Sequence, residues 1–449
     1  MINFQKNLKE GRLESQLQDF KPALDQHEAS TEANRCINCY DAPCIRACPT
    51  SINIPQFIGR IANGNTLGAA KTILDANIMG LSCAQSCPTE VLCEGACVYN
   101  SLDTKPISIG KLQRFAVTEA YEQKVQFYKA GEATGKRVAL IGAGPASLAC
   151  AHELRKEGHA AVIFEKAELP GGLNTYGIAP YKMKSSVSLW ETEQVAALGA
   201  EFRFGKELGK DFQLSDLLKD YDAVFLGLGL GQDSFIDAPG ADLPGVMGAV
   251  DFIGKMKTGS EMSWVKGLKS ALIVGGGNTA LDACRGLKKL GVPQVVVSYR
   301  RGEEDMSGYG HEMKWARQEG VDFWFNTLPT KFSQGTGKGI QVKVQKTKQT
   351  PDGKVALSDE FVDFSAGLVL MATGQAKLES LLTSVSELQF EKGKLKTDAN
   401  GKTGHAKIYA GGDLANGGKE VVNAVAEGKK AAIAMNLSFQ NSGKGVSRG

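Results

Sequence analysis

Cysteine is the residue type whose spacing in this chain points most directly to chemistry. The sequence has 449 residues and ten cysteines, and eight of the ten lie between Cys36 and Cys97. They form two sets, Cys36-x2-Cys39-x4-Cys44-x3-Cys48-Pro49 and Cys83-x3-Cys87-Pro88-x4-Cys93-x3-Cys97. The N-terminus is polar and shows no secretion signal, so metal binding is a better interpretation of this cluster than disulfide bonding.

The spacing also separates the candidate metals. The two sets lack the paired C-x2-C knuckles of zinc ribbons, and each contains the C-x3-C-P pattern found in ferredoxin-type sequences. Eight thiolates at this spacing predict two 4Fe-4S clusters, with zinc as the alternative. Cys150 and Cys284 lie in apolar helical patterns, which is typical of small core residues.

The elements that position these cysteines are predicted from periodicity. Residues 1–130 have helical spacing and no good strand pattern, which indicates a helical cluster-binding domain. After the turn-rich segment Lys129–Lys136, short β-branched strands alternate with amphipathic helices. We therefore expect an α/β protein with parallel sheets behind an N-terminal all-α iron–sulfur domain.

Charge and hydropathy exclude some classes of protein. The 52 basic and 49 acidic side chains are interspersed, so a polyanion-binding protein is not expected. No apolar run reaches the ~18–20 residues of a membrane span, and we expect a cytoplasmic chain.

The first α/β segment carries a nucleotide-binding pattern. RVALIGAGPASLACAHELRKEGHAAVIFEK contains a strand, a glycine-rich turn, a helix, a second strand and a terminal acid, in that order. Gly142 and Gly144 allow close approach to a pyrophosphate, and Glu165 is placed for ribose hydroxyls. The candidate binding residues here are Gly142, Ala143, Gly144, Pro145, Ala146, Ser147 and Glu165.

A second segment, SALIVGGGNTALDACRGLKKLGVPQVVVSYRR, repeats the design. Ser298 stands where the acid of the first segment would be, and two arginines follow. Two guanidinium groups favour a 2′-phosphate, hence NADPH over NADH, although they are also compatible with a solvated strand end. Asp282 is interpreted as a helix-start charge or a structural hydrogen-bonding residue rather than as an acid–base catalyst. The candidate binding residues here are Gly276, Gly277, Asn278, Thr279, Arg300 and Arg301.

Near the C-terminus, the pattern of the first segment resumes. GLVLMATGQ contributes Ala372, Thr373 and Gly374; Gly412 and Asp413 are placed near a flavin's phosphate arm, and Glu420 and Val421 at the start of a helix under its ring. This predicts two Rossmann-like domains, the second inserted in the first, as in flavin disulfide-reductase-like enzymes. FAD is assigned to residues 131–230 and 363–449, and NAD(P)H to residues 231–362. The α/β part has no redox-active cysteine pair, so electrons are expected to leave through the clusters.

These motifs resemble the small subunit of bacterial glutamate synthase and, more closely, the flavin/iron–sulfur half of dihydropyrimidine dehydrogenase. The resemblance covers nearly the whole chain and is carried by CPTEVLCEGACVYN, SIGKLQRF, GAGPAS, EKAELPGGL, VGGGNTALDAC, YRRGEED and AGGDL. It implies FAD, two 4Fe-4S clusters and NADPH or NADH as cofactors. It also implies flavin contacts at Lys166, Gly172, Leu173 and Lys182, although GIAPYKMK departs from the family's pattern around Lys182.

The resemblance further implies how the cluster ligands divide. One cluster would be held by Cys36, Cys39, Cys44 and Cys97, and the other by Cys48, Cys87, Cys93 and Gln113. Cys83 would then be a bystander, or the ligand in place of Gln113 if that glutamine is only a polar residue of a core helix. Ser307 stands where mammalian members carry a third basic residue for the NADPH phosphate.

The function implied is that of an NAD(P)H-oxidising subunit that passes electrons to an FMN-containing catalytic chain, in a hetero-oligomer that reduces uracil or thymine. No catalytic nucleophile set is evident in this chain. The alternatives are a glutamate synthase small subunit, an NAD(P)H:ferredoxin-type oxidoreductase, and a zinc-binding nucleotide sensor.

Overall fold

The computed structural model describes residues 2–259, 262–335, 337, 339–350, 352 and 354–444. The described chain contains an N-terminal group of helices, two five-stranded parallel sheets and a three-stranded antiparallel sheet. The predicted fold class is therefore confirmed. No described helix combines the length and the apolar character needed to cross a membrane.

The helices and strands are numbered along the chain. They are α1 (Gln26–Asn34), α2 (Pro43–Ala47), α3 (Ile54–Ala62), α4 (Thr66–Ala76), α5 (Gly80–Ser86), α6 (Ile109–Glu122), β1 (Arg137–Ile141), α7 (Pro145–Lys156), β2 (Ala160–Glu165), α8 (Leu173–Tyr176), α9 (Ser185–Ala197), β3 (Glu201–Phe204), α10 (Leu214–Asp220), β4 (Ala223–Leu226), β5 (Val246–Gly248), α11 (Ala249–Thr258), β6 (Ser270–Val274), α12 (Asn278–Lys289), β7 (Gln294–Tyr299), α13 (Gly310–Gln318), β8 (Asp322–Phe325), β9 (Thr327–Gln334), β10 (Ile340–Gln349), β11 (Val355–Ala366), β12 (Leu368–Met371), β13 (Phe390–Glu391), β14 (Lys394–Leu395), β15 (Ile408–Ala410), α14 (Asp413–Asn416) and α15 (Val421–Lys444).

Helices α1–α6 form the cysteine domain. Helix α3 shows why they fold locally: the Asn53 side chain accepts the backbone N–H of Gln56, and a proline occupies the first turn, where it costs no hydrogen bond. Phe57, Ile58 and Ile61 then recur at helical spacing and are buried. Helix α6 packs against α4 and α5 and closes this core.

The first residues of the chain do not belong to the cysteine domain. Phe4 lies in a buried cluster with Leu189 of α9, and Leu13 lies in another with Phe252 of α11. Residues 2–17 therefore run along the α/β part of the molecule, whereas Asp19, Lys21 and Leu24 contact the cysteine domain. The helical domain predicted for residues 1–130 therefore does not include the first part of that range, because Phe4, Leu13 and Leu17 are buried against the α/β part.

The first parallel sheet has the strand order β15-β4-β1-β2-β3. Four of the five residues of β1 are fully buried, as expected for a central strand covered by helices on both faces. Helices α7 and α15 pack together on one face. Strand β15, near the C-terminus, pairs with β4, so the second sheet is inserted between these two strands.

The second parallel sheet has the order β5-β12-β6-β7-β8. Strand β12 pairs with β5 and β6, so it belongs to this inserted unit. The return to the first unit, which we predicted at residue 363, therefore comes after β12. The two chain segments that connect the units, one after β4 and one after β12, run side by side. The N–H of Gly231 donates to the carbonyl of Ala376, and the N–H of Ser234 donates to the carbonyl of Gly374, both at 2.8 Å.

The antiparallel sheet of β9, β10 and β11 covers one face of the second parallel sheet. Phe332, Val342 and Phe364 are buried in one cluster with Leu272 and Val369 of the parallel strands. Helices α11 and α12 cover the opposite face, so the inserted unit has a core on both sides of its sheet.

A buried carboxylate joins the cysteine domain to the first unit. Glu191 of α9 accepts the backbone N–H groups of Leu81 (2.7 Å) and Ser82 (3.0 Å) and the Ser82 hydroxyl, all in the first turn of α5. It is fully buried. Burial raises the pKa of Glu191 to about 7, although these hydrogen bonds act in the opposite direction.

This pKa generates a stability prediction. Between the ordinary pKa of 4.5 and about 7, folded Glu191 keeps a proton that the unfolded chain loses, so the carboxyl makes stability fall as the pH rises through that window. At ~1.4 kcal/mol per pKa unit, the loss is about 3 kcal/mol. We expect Glu191→Gln, which cannot ionise, to remove this slope, measured as the free energy of unfolding of both proteins from pH 5 to 7.5. The control is Glu201→Gln at an exposed carboxylate. Parallel pH profiles for parent and E191Q would contradict the prediction.

Candidate cofactor sites

Four cysteines from both sequence sets line one cavity at the outer end of the cysteine domain. Cys36, Cys39, Cys44 and Cys97 surround a space that is otherwise lined mainly by apolar side chains. Burial, followed by the neighbouring cysteines, raises the pKa of Cys44 to about 11. A cation is therefore needed to hold such thiols as thiolates, and cluster iron fits this requirement.

A second cavity is lined by the remaining four cysteines of the two sets. They are Cys48, Cys83, Cys87 and Cys93. Gln113 of α6 lines the same cavity and donates its Nε2–H to the carbonyl of Gly80 at 2.7 Å. Asn77, which sequence reasoning missed, also lines it and donates from Nδ2 to the Cys83 sulfur at 3.1 Å.

The two cavities are adjacent. Helix α2 carries Cys44 at its start and ends beside Cys48, so one short helix supplies a thiol to each cavity. Ile54 lines both. Val422, in the first turn of α15, lines the second cavity, which therefore borders the α/β part.

All ten cysteines are free thiols, so the disulfide interpretation is wrong. Cys150 and Cys284 are buried in helices, as predicted. Within the described ranges, no three His, Cys, Asp or Glu side chains are grouped around a position for a single metal ion.

The glycine-rich loop after β1 lies at the carboxyl edge of the first sheet. Gly142 has φ +90°, and a Cβ there would lie 2.5 Å from the carbonyl oxygen of Gly227. Gly144 is the N-cap of α7 and Pro145 its first residue; no side chain caps this helix. Its first-turn N–H groups are therefore left for an anion, which fits a dinucleotide pyrophosphate.

Glu165, at the end of β2, forms a hydrogen bond to the backbone of this loop. Its carboxylate accepts the N–H groups of Ala143 (2.7 Å) and Ala167 (2.8 Å), and burial raises its pKa. Ala146 and Ser147 are buried in the first turn of α7. Lys166 points outward, with its side chain 62% exposed.

Two further glycines bring chain segments against this loop. A Cβ on Gly172, just before Leu173, would lie 2.9 Å from the Cα of Gly144. Gly412, with φ +72°, precedes Asp413 at the start of α14, and burial raises the Asp413 pKa. The loop after β1, Gly172 and the Gly412–Asp413 pair therefore converge on one edge of the first sheet.

The inserted unit contains a cavity of about 410 Å³ at the corresponding edge of its own sheet. Its lining includes Gly276, Gly277, Thr279, Arg300, Arg301, Ser307, Ala372, Thr373 and Gly374. The last three were expected to resume the first nucleotide unit; they lie here instead, because β12 pairs with β6.

Three residues near this cavity have roles in holding its walls. Asn278 accepts the backbone N–H of Tyr309 at 3.0 Å, so its side chain fixes the following loop. Ser298 is buried and bonded to Thr327. Asp233 lines the cavity and accepts the N–H of Asp251 in α11; it lies in a connecting segment with no motif, so sequence gave no signal for it.

Lys182 lies where the two nucleotide units meet the cysteine domain. Its Nζ contacts Asp282 at 2.6 Å and Glu312 at 2.7 Å, and the Tyr181 hydroxyl donates to Asp282. Desolvation by burial opposes the charge on Lys182, but the two carboxylates raise its pKa. Glu420, at the start of α15, accepts the Tyr309 hydroxyl at 2.6 Å. Sequence reasoning missed Glu312, since only the fold brings α13 to Lys182.

The two anion-binding loops on parallel sheets and the cysteine-lined cavities define an NAD(P)H-dependent flavin and iron–sulfur oxidoreductase. Residues 136–428 match the pyridine nucleotide-disulphide oxidoreductase family, to which the chain belongs. Residues 13–125 match the family described as dihydropyrimidine dehydrogenase domain II, 4Fe-4S cluster. These matches replace the zinc alternative with 4Fe-4S chemistry and agree with FAD as the bound flavin.

Similar proteins have two different roles. The glutamate synthase [NADPH] small chain of Escherichia coli is 35% identical over 431 residues, covering 91% of each chain. The NAD-dependent dihydropyrimidine dehydrogenase subunit PreT of Escherichia coli is 33% identical over 419 residues, covering 93% of this chain and 96% of the relative.

Solved structures share the fold of the α/β part. FprA of Mycobacterium tuberculosis, solved with NADPH, has a TM-score of 0.55 at 21% identity and covers 69% of this chain and 86% of its own. Thioredoxin reductase of Lactococcus lactis has a TM-score of 0.52 at 20% identity, covering 68% and 98%.

The cavities generate a prediction about iron. We expect Cys44→Ala to lower the iron and sulfide content of the anaerobically purified protein by about half, because it removes one thiolate from the first cavity only. Cys150→Ala, at a buried cysteine of α7, is the matched control and should keep the parent's iron. An unchanged iron content in C44A would exclude Cys44 as a ligand.

Proposed function

We propose that this chain is the electron-input subunit of a two-component reductase, in which NAD(P)H is oxidised at FAD and two 4Fe-4S clusters conduct the electrons to a partner. The observation that carries this proposal is the continuity of the sites. Val422 borders the second cysteine cavity from the start of α15, Ile54 separates that cavity from the first, and Ile37, which lines the first, is 57% exposed. The sites thus form a line from the flavin unit to the surface.

The proposed ligand sets follow the two cavities. Cys36, Cys39, Cys44 and Cys97 would hold the outer cluster. Cys48, Cys87, Cys93 and Gln113 would hold the inner one. Support for Gln113 comes from its Nε2, which is engaged by the Gly80 carbonyl and leaves Oε1 as the donor for iron. Cys83 is the alternative fourth ligand, and its sulfur already accepts the Asn77 amide.

When bound, FAD accepts two electrons from NAD(P)H and delivers them singly to iron–sulfur clusters. The chain's own residues would bind FAD and NAD(P)H and orient them toward each other. The first turn of α7 would hold the FAD pyrophosphate, Glu165 the ribose, and the segment from Gly412 to Val421 the flavin end. Gly276, Gly277 and Thr279, at the start of α12, would hold the pyrophosphate of NAD(P)H.

The partner we propose is a separate FMN-containing chain that reduces uracil or thymine to the 5,6-dihydropyrimidine. Two observations support it: the similarity to PreT over nearly the full length of both chains, and Gln113 in the inner cavity, as the resemblance to dihydropyrimidine dehydrogenases implies. A glutamate synthase small chain is the second candidate, favoured by the 35% identity to that relative.

The test is to co-express the chain with candidate FMN-containing catalytic subunits from its own source and assay each purified complex anaerobically with NADPH and NADH. We expect uracil- or thymine-dependent oxidation of the nucleotide at a rate well above that of the single chain. In the control assay, glutamine and 2-oxoglutarate replace the pyrimidine, and glutamate formation is measured. Glutamate formation by the complex, without pyrimidine reduction, would replace the proposal with the second candidate.

Nucleotide preference provides a separate prediction. Arg300 and Arg301 line the cavity of the inserted unit, and within the described residues neither guanidinium has a hydrogen bond or an ion pair. We propose that they bind the 2′-phosphate of NADPH. Because a hydrogen bond between charged groups is worth ~1.5–3 kcal/mol, Arg301→Ala should raise the KM for NADPH about 10- to 100-fold.

The KM for NADH should change less than about twofold in R301A, since NADH has no 2′-phosphate. Arg317→Ala, which removes an exposed arginine paired with Glu303, is the control. Equal losses for NADPH and NADH would contradict the assignment.

A further inference from the structure

A small cavity lies between helix α13 of the inserted unit and the segment that follows α5 in the cysteine domain. Its lining includes the Cys87 thiol and five acidic or basic side chains: Lys21, Glu90, Lys182, His311 and Glu312. It has room for about one water molecule. Neither nucleotide-binding loop contributes to this lining. Cys87, a proposed ligand of the inner cluster, lies on one wall, and no proposed binding role uses Glu90, His311 or Glu312.

The inner end of the cavity is buried and charged. Glu312 is buried; its Oε1 contacts Lys182, and its Oε2, also buried, has no partner among the described residues. The second carboxylate on Lys182 is Asp282. Lys182, Glu312 and Asp282 are all close enough to Glu420, at the start of α15, for their charges to act on its carboxyl. The inner end thus borders the segment proposed to hold the flavin.

The outer end of the cavity leads toward solvent. His311 Nε2 lies 3.8 Å from Glu90 Oε2, and Glu90 Oε1 lies 2.9 Å from Lys21 Nζ. The exposed fraction of the side chains rises from 9% at Glu312 to 23% at His311 and 33% at Glu90. Burial lowers the pKa of His311, so the imidazole is neutral at neutral pH and available as a proton acceptor.

The proposed reaction requires such a route. Oxidation of one NADPH yields NADP⁺, one proton and two electrons. Iron–sulfur clusters conduct the two electrons to the acceptor, but they do not carry the proton. One proton per nucleotide must therefore leave the buried flavin site by way of protein groups or water.

We propose that Glu312, His311 and Glu90 form the exit for this proton. Glu312 Oε2 accepts the proton released at the flavin site. It passes the proton through the cavity to His311 and Glu90, which exchange it with solvent beside Lys21. Lys182 and Asp282 keep Glu312 in position. This inference rests on the proposed oxidation of NAD(P)H at FAD, but not on the identity of the partner subunit.

The experiment uses the full chain loaded with FAD and clusters. The variant is Glu312→Gln, which keeps the shape of the side chain and cannot carry the proton. The matched control is Glu360→Gln, at an exposed carboxylate that also pairs with a lysine. Each protein is mixed anaerobically with NADPH and the one-electron acceptor ferricyanide in weak buffer. Flavin absorbance and a pH-indicator dye are recorded together.

We expect E312Q to release protons and turn over about 10- to 100-fold more slowly, as is typical when a proton-transfer group is lost. The solvent deuterium isotope effect should rise, and added imidazole should restore part of the rate. The dissociation constant for NADPH should stay within about twofold of the parent value, and the visible spectrum should be unchanged. In reaction-induced infrared difference spectra, the band of a protonated carboxyl should disappear in E312Q but not in E360Q.

Parent-like proton release and isotope effect in E312Q overturn the proposal. A slower E312Q without a larger isotope effect or imidazole rescue also overturns it, because Glu312 would then only position Lys182. If E312Q does not bind flavin, His311→Gln at the outer end of the cavity tests the proposal instead. We expect it to show the same slower proton release, larger isotope effect and rescue by imidazole. Failure of the proposed function is distinct: the parent protein itself would then not be bleached by NADPH.

Discussion

Everything proposed for electron flow depends on how helix α5 is held against the flavin-binding unit. Helix α5 leads directly into Cys87, and its first turn is capped by a carboxylate from a different part of the chain, Glu191 of α9. The N–H groups of a helix N-terminus need acceptors, and a buried carboxyl needs hydrogen-bond partners. Each group therefore satisfies the other, and the inner cysteine cavity is fixed next to α15.

The meeting point of the three units is stabilised by charges that have little access to water. The guanidinium of Arg285 is fully buried, forms a paired contact with Glu319 and lies over the ring of Phe20 at 4.2 Å. Lys257 of α11 is also fully buried and donates to the carbonyls of Asn174, within α8, and Ile178, just after α8. Removing such groups from water costs several kcal/mol each, so their net contribution to stability is small. Their directional contacts instead fix the angle at which the inserted unit meets the first.

Local patterns in the sequence predict the parts of the molecule that are built locally. The glycine turns after β1 and β6 depend on neighbouring residues, and so does the alternation of strands with helices. The structure forms both where predicted. The grouping of the cysteines is different, because Cys97 joins Cys36 only through the packing of the cysteine domain, and family resemblance supplied that pairing.

Features that depend on distant packing were missed or misassigned. Strand β12 has the same apolar character as β4 and β1, so nothing within it shows which of two parallel sheets it joins. Within its own segment Glu191 is one acid in the middle of a helix, and Glu312 is a first-turn charge of α13. Their partners lie 109 and 130 residues away in sequence, at Ser82 and Lys182. Burial of a charge leaves no local signature, and these carboxylates become significant only once the three units are packed together.

In the function proposed here, the same packing would give electrons and protons different ways out of one site. Toward the cysteine domain, α15 presents an apolar side chain, Val422, to the inner cavity, and the wall shared by both cavities is Ile54. Apolar walls keep water from the clusters and disfavour the movement of a proton, which needs hydrogen-bonding groups. Toward α13, the start of α15 instead faces Lys182 and Glu312. A site with an apolar wall on one side and ionisable groups on the other can therefore separate the two products of nucleotide oxidation without any moving part.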